Sequence, residues 1–443
     1  MDLTNALANW LSSQLQWMPA EVVQKASEVA ASRGSERLLE MVLGDREAEE
    51  VRALLEREPA EGPRPPVVML PGIMGSLLAS IRGISTMLWY APRIILDGHL
   101  NLLDLNAEGT GDRSPDVQIV PVGIEKLTYL KLILTLARIS RLYEFPYDWR
   151  RELESNARLL HGSLHRWTKA APQRRFTLVC HSMGGMLART YAALYPEEAE
   201  RLIERIVMLG TPLHGTAIAA CIFDGSTPQA IAVQRLNPQN DVIGFASNLP
   251  SAYQLLPPPP DSYTLDRPYP LDWDAYDAQA WGLPNVRQDY LDRARAWHSL
   301  LADSDPQIEM ALIAGCHHET ITDVHLRTDG DDAPALEPIR NDERHEGGDS
   351  QVPLWSVQHP AVTTYYVACS HTELPGHDKT LDALDRLLSG QAPELPREVP
   401  ERPASLLERI APAPRREQVA ELRRHIESGQ TRREDLDKIN FLE

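Results

Sequence analysis

Residues 176–187 read F-T-L-V-C-H-S-M-G-G-M-L. The apolar run Phe176–Cys180 predicts a short buried strand, and Gly184–Tyr195 predicts a helix that stops before Pro196. A buried strand that turns at once into a helix is the repeating unit of a parallel sheet covered by helices on both faces. The same alternation recurs along the chain. Val67–Leu70, Ile206–Leu209, Met310–Ala314 and Thr364–Ala368 read as further strands. Residues 123–170 read as largely helical, with a break at Phe145-Pro146-Tyr147-Asp148, and Leu130–Leu142 within them reads as a core helix.

The turn at 181–184 also carries chemistry. A serine hydroxyl is a poor nucleophile unless a base stands beside it, and a sharp strand-to-helix turn lifts it to where a base can reach. The pattern G-x-S-x-G is here Cys180-His181-Ser182-Met183-Gly184, so two nucleophiles compete. Cys180 lies two residues before the tip, still leaving the strand, where a small side chain is needed. A thiol buried in apolar surroundings has a raised pKa and is inert. Ser182 is therefore the expected nucleophile.

Such a serine needs donors for the developing oxyanion, an acid and a histidine. The residue after the nucleophile, Met183, supplies one backbone N–H. Pro71-Gly72-Ile73-Met74-Gly75-Ser76, directly after the first strand, supplies another from Ile73 or Met74. Asp349 lies on the turn Gly348–Pro353, and His371 follows the strand ending near Ala368, which keeps the chain order Ser, Asp, His. Both lie beyond strand ends, where open α/β sheets carry their sites. His377 competes with His371, but only His371 comes directly off the strand.

Six blocks occur in one order: Pro71–Ser76, Tyr147-Asp148-Trp149-Arg150, His181–Gly185, Leu209-Gly210-Thr211-Pro212, Pro250-Ser251-x-Tyr253-x-Leu255-Leu256-Pro257 and Gly348-Asp349-x-x-Val352-Pro353-Leu354. Together they resemble the lecithin:cholesterol acyltransferase family, with its phospholipid:diacylglycerol acyltransferase and lysosomal phospholipase relatives. The resemblance spans about residues 66–390. It implies an α/β-hydrolase fold, a mostly parallel central sheet flanked by helices, with an inserted cap and lid. It implies Ser182 as nucleophile, Asp349 as acid, His371 as base, and Ile73 and Met183 as oxyanion donors. It implies transfer of an acyl chain from a lipid ester to an acceptor alcohol or to water, with no cofactor and no metal. Two departures stand out. Cys180 replaces the first glycine of the elbow, and the signal peptide and disulfides of the extracellular members have no counterpart here.

The expected organisation is a helical N-terminal module (1–62), a hydrolase core in two parts (66–212 and 306–392), a cap or lid insertion (213–305) and a helical C-terminal extension (400–443). Residues 1–60 are a candidate docking module for a protein partner. The Trp- and Tyr-rich run 269–297 is the candidate grip for an acyl chain, with Leu77-Leu78 beside the oxyanion loop adding apolar surface. A net charge of −19 argues against a nucleic-acid partner and against electrostatic attraction to anionic membranes, so any membrane contact is expected to be transient and through the cap. Scattered cysteines and the absence of a signal-like N-terminus lead us to expect a cytoplasmic protein. His317-His318-Glu319 with Asp323 and His325 has no metal-site spacing, and Asp329-Gly330-Asp331-Asp332 lacks the ligand order of a calcium loop. The competing functions are an esterase or thioesterase for small substrates, and an inactive adaptor working through its end modules.

Overall fold

Alternate residues of the first strand serve opposite faces of one sheet. Val67 and Met69 pack into one apolar core and Val68 and Leu70 into another, all fully buried. Burial on both faces is why these strands read as continuous apolar runs rather than as alternating ones. The computed structural model describes residues 45–56, 64–82, 86–89, 91–170, 175–304, 306–328, 334–402 and 424–425. The expected helices over 1–44 and 405–442 lie outside these residues, Arg424 and His425 excepted, as does the acidic loop Asp329–Asp332.

The strands are β1 (Pro66–Leu70), β2 (Ser76–Ser80), β3 (Thr86–Trp89), β4 (Ile119–Ile124), β5 (Arg141–Glu144), β6 (Phe176–His181), β7 (Ile203–Leu209), β8 (Glu309–Gly315), β9 (Thr320–Arg327), β10 (Ala335–Asn341) and β11 (Thr363–Val367). Six of them form a parallel sheet in the order β11-β8-β7-β6-β1-β5. Helices α2 (Lys126–Ile139) and α6 (Asp378–Leu388) cover one face; α3 (Leu153–Ala170) and α4 (Met183–Leu194) cover the other. The helix α1 (Asp45–Glu56) docks on α2, where Lys131 bridges Glu50 at 2.9 Å and Asp378 at 3.0 Å. This is the α/β-hydrolase architecture expected from the sequence.

Several elements depart from the expected pattern. β5 lies within a stretch expected to be helical; its four residues R-L-Y-E sit at the sheet edge, pair with β1 alone and show no clean burial alternation. Pro196 ends α4 but also opens the helix Pro196–Leu202, as its fixed φ permits at a first helical position. β2, β3 and β4 make a separate antiparallel sheet, and β9 and β10 pair as a hairpin after β8. Between β7 and β8 lie the helices Pro228–Leu236, Val242–Ser247 and Pro250–Gln254 and the helix α5 (Gln288–Ala302), whose Trp297 indole donates to Thr190 Oγ1 of α4 at 2.9 Å.

Candidate active site

Ser182 is the N-cap of α4 with φ 52° and ψ −126°, a backbone conformation that costs about 1–3 kcal/mol for a residue with a side chain. Three hydrogen bonds hold it there. Its N–H donates to the Leu209 carbonyl at 2.8 Å, and its own carbonyl accepts from Gly185 N–H at 3.0 Å and from Thr211 Oγ1 at 2.9 Å. The glycine after Met183 is required by proximity. A Cβ on Gly184 would lie 2.5 Å from the Leu70 carbonyl oxygen and 2.6 Å from that of Pro71. Helix α4 thus begins in contact with the end of β1, which brings the Pro71–Ser76 loop against Ser182. Met183, the first helical residue, has an N–H with no acceptor inside the helix.

Cys180 sits on β6 between Leu70 and Met208 of the neighbouring strands and has no exposed surface. Burial pushes its thiol far above the ordinary range, which disfavours the thiolate.

The structure brings Asp349 and His371 together. His371 Nδ1 lies 2.8 Å from Asp349 Oδ2, and both residues are buried. The pair is tied twice, because His371 N–H also donates to the Asp349 carbonyl at 2.8 Å. Asp349 Oδ1 accepts the backbone N–H groups of Gln351 and Val352 at 3.1 and 2.7 Å. The acid returns to the carboxyl end of β8 because His318 and Gly348 exchange backbone hydrogen bonds at 2.9 and 3.2 Å. The His371 ring lies 4.7 Å from that of His181, the residue before Ser182, and Ser182, His181 and His371 all border one cavity. His377 is elsewhere: its Nδ1 accepts the Lys379 N–H at 3.3 Å and caps α6.

That cavity has a volume of about 260 Å³. Its walls are Ile73 and Met74 of the loop after β1, Trp89 of β3, Trp149, and the first half of the insertion, notably Val233 and Phe245. This corrects the expectation for residues 269–297. Trp281, Tyr290 and Trp297 are fully buried in the core that the insertion shares with the sheet, with Trp281 against Phe223 at 5.4 Å and Trp273 at 5.0 Å, and none of them borders the cavity. Nor do Leu77 and Leu78 border the cavity; they lie buried in β2 as part of the core.

The remaining sequence blocks buttress the loop after β1. Tyr147 donates through its hydroxyl to the Pro71 carbonyl at 2.9 Å, and the Trp149 indole donates to the Ser76 carbonyl at 3.2 Å. Arg150 is buried against Asp148 at 2.7 Å and Asp112 at 3.0 Å. Ser251 Oγ donates to the Trp149 carbonyl at 2.6 Å. Among the expected rivals, Asp323 is paired with Arg267, and Glu319 lies 3.5 Å from Arg340. No group of three metal-ligating side chains converges among the described residues. Two residues of the site had no role assigned from sequence, Tyr129 and His181. His181 is visible in the sequence only as part of the elbow, and Tyr129 lies in the helical stretch 123–170, just before the core helix read at Leu130–Leu142.

A strained serine on a strand-to-helix turn and a buried Asp–His pair whose histidine borders the same cavity, at the carboxyl end of a parallel sheet, are the arrangement of the α/β-hydrolase class. Within it, the family model for lecithin:cholesterol acyltransferase matches residues 137–263, bearing out the resemblance read from sequence over that segment. The matched segment holds four of the six blocks; the loop after β1 and the Asp349 block lie outside it. No curated protein matches the sequence. Among solved structures, the chain is similar to one in the crystal structure of the Tle4-Tli4 complex, with 14% identity and a TM-score of 0.46 over 74% of this chain and 98% of that one. It is also similar to the mature lipase BlEst2 of Bacillus licheniformis, with 14% identity and a TM-score of 0.34 over 75% and 96% of the two chains. The phospholipase PlaB of Legionella pneumophila aligns at 12% identity and a TM-score of 0.30, over 74% of this chain and 60% of that one.

Proposed function

We propose that the protein is a serine acyl hydrolase or O-acyltransferase acting on long-chain lipid esters. Ser182 is the nucleophile, His371 its base and Asp349 the orienting acid. The observation that carries this reading is the Asp349–His371 pair, buried and tied by two contacts of 2.8 Å, with His371 bordering the same cavity as a serine in a strained elbow. Asp349 fixes the His371 tautomer with Nδ1 protonated, which leaves Nε2 to take the Ser182 proton. Attack on the ester carbonyl gives a tetrahedral oxyanion, which the N–H groups of Ile73 and Met183 stabilise. Collapse expels the alcohol, protonated by His371, and leaves the acyl chain on Ser182. Water or an acceptor alcohol then attacks the acyl-enzyme by the same route in reverse.

The family match at 137–263 and the apolar cavity both support a lipid ester as substrate. Each methylene buried in such a cavity contributes about 0.8 kcal/mol towards holding the ester in place. No cofactor or metal takes part in this chemistry. All four cysteines are buried and scattered along the chain, which suits a reducing, cytoplasmic compartment, and no helix among the described residues is long and apolar enough to cross a membrane.

Trapping with a fluorophosphonate followed by peptide mapping tests the assignment. The expected adduct is on Ser182, absent from Ser182→Ala. An adduct on Cys180, or none on the folded protein, contradicts it.

A further inference from the structure

Three hydrogen bonds through two side chains link the loop after β1 to the segment carrying His371. Gly72 N–H lies 2.9 Å from Tyr129 Oη, Tyr129 Oη lies 2.8 Å from His181 Nδ1, and His181 Nε2 lies 3.1 Å from the His371 carbonyl oxygen. The direction of each bond is forced. A carbonyl oxygen only accepts, so His181 Nε2 carries the proton. Burial first, and the neighbouring His371 second, push the His181 pKa well below its ordinary value, so its Nδ1 is bare and must accept. Tyr129 therefore donates to it. Burial pushes the Tyr129 pKa up, which keeps that hydroxyl protonated, and its oxygen accepts from Gly72.

We propose that Tyr129 and His181 are positioning residues. This one-way chain ties the oxyanion loop to the base-bearing segment, so one imidazole sets the spacing between the two arms of the site. The inference rests on the roles assigned above to Ser182, Asp349 and His371.

The packing explains why the chain is rigid. A Cβ on Gly72 would lie 3.0 Å from Ser182 Cβ, 3.2 Å from His181 Nδ1 and 3.4 Å from Tyr129 Oη, so the loop has no room to slide. The turn closes with Gly75 N–H donating to the Gly72 carbonyl at 3.1 Å, and its third residue, Met74, holds φ at 61°. The bond to the Gly72 carbonyl fixes the plane of the Gly72–Ile73 peptide, which carries the Ile73 N–H. On the other side, the His371 main chain is held between the His181 ring, which donates to its carbonyl, and the Asp349 carbonyl, which accepts its N–H. The base can then choose only its ring orientation, and Asp349 Oδ2 sets that.

The test uses Tyr129→Phe, His181→Leu, their double variant and the rescue variant His181→Gln. The Gln amide keeps one acceptor and one donor. A group misplaced by about 1 Å costs up to about 100-fold in turnover, so Tyr129→Phe is expected to lower kcat about 10- to 100-fold on a soluble p-nitrophenyl ester, with KM within about twofold. Fluorophosphonate labelling of Ser182 slows in step. The double variant is expected to be no worse than the worse single one, as links of one chain require. His181→Gln recovers part of the rate lost in His181→Leu. A Tyr129→Phe protein labelled at the wild-type rate, or losses in the two single variants that multiply in the double one, overturns the inference. Wild-type protein that takes no label at Ser182 refutes the serine assignment instead. If Tyr129→Phe does not fold, the comparison of His181→Gln with His181→Leu decides: equal kcat in the two overturns the inference, and recovery in His181→Gln supports it.

Discussion

Ser182 carries strain that nothing in its own side chain explains. Its φ of 52° is held by bonds to Leu209 of β7, Gly185 and Thr211, and what the chain gains is a serine on the cavity wall. On this account Ser182→Ala lowers kcat by several powers of ten, because a triad member is removed. Cys180→Ala keeps most of the turnover, since that thiol lies inside the sheet; steady-state ester hydrolysis separates the two outcomes. Asp349→Asn and His371→Ala are expected to fall as far as Ser182→Ala. His377→Ala is expected to keep its turnover and lose about 1 kcal/mol of stability, because it removes a cap of α6. Urea unfolding measures that difference. The serine was legible from local signals alone, an apolar run and a glycine pair. Asp349 and His371 were legible only as an order along the chain. Their meeting was not, because it depends on the His318–Gly348 bridge, which no local pattern announces. Tyr129 was illegible for a related reason: its hydroxyl finds its partners, His181 and Gly72, 52 and 57 positions away in the chain.

At the scale of elements, the strongly periodic ones were readable and the short ones were not. β1, β6, β7 and β8 announce themselves because both faces are buried, and β11, at the sheet edge, by its run of β-branched and aromatic residues. β5 is a four-residue strand at the sheet edge, and β2, β3 and β4 form a sheet of their own, so both take their form from neighbours. The insertion was visible as a break in rhythm, but its aromatic half packs into the shared core and the cavity wall comes from its earlier half. Two predictions belong here. Gly184→Ala places a Cβ 2.5 Å from a backbone oxygen that cannot easily move, so it is expected to cost about 2–4 kcal/mol in urea unfolding. Ala246 lines the cavity, and Ala246→Phe takes the space of about two or three methylenes. At about 0.8 kcal/mol each, kcat/KM for a long-chain ester is expected to fall about 30-fold, while that for a butyrate ester changes little. Paired kinetics on the two esters check this, and an equal loss on both contradicts it.

The whole molecule is strongly acidic, yet it buries neutral histidines. Burial holds His298 down to about 3 and His214 down to about 4, against an ordinary value of 6.5, and His181 also lies well below it. The unfolded chain takes up these protons near pH 6.5 and the folded one only much lower. Their contribution to stability is therefore complete above about pH 6.5 and drains as pH falls towards 3, by about 1.4 kcal/mol per pH unit for each such group. Urea unfolding from pH 7 to 5 is expected to show this slope, and His298→Gln to flatten it by about one proton. The most direct test of the account as a whole is hydrolysis of a p-nitrophenyl ester series from acetate to palmitate, with phospholipid alongside and Ser182→Ala as the blank. The account predicts kcat/KM rising with chain length, activity on phospholipid, and none in the blank. Activity confined to acetate and butyrate, or a Ser182→Ala protein as active as the wild type, would contradict it.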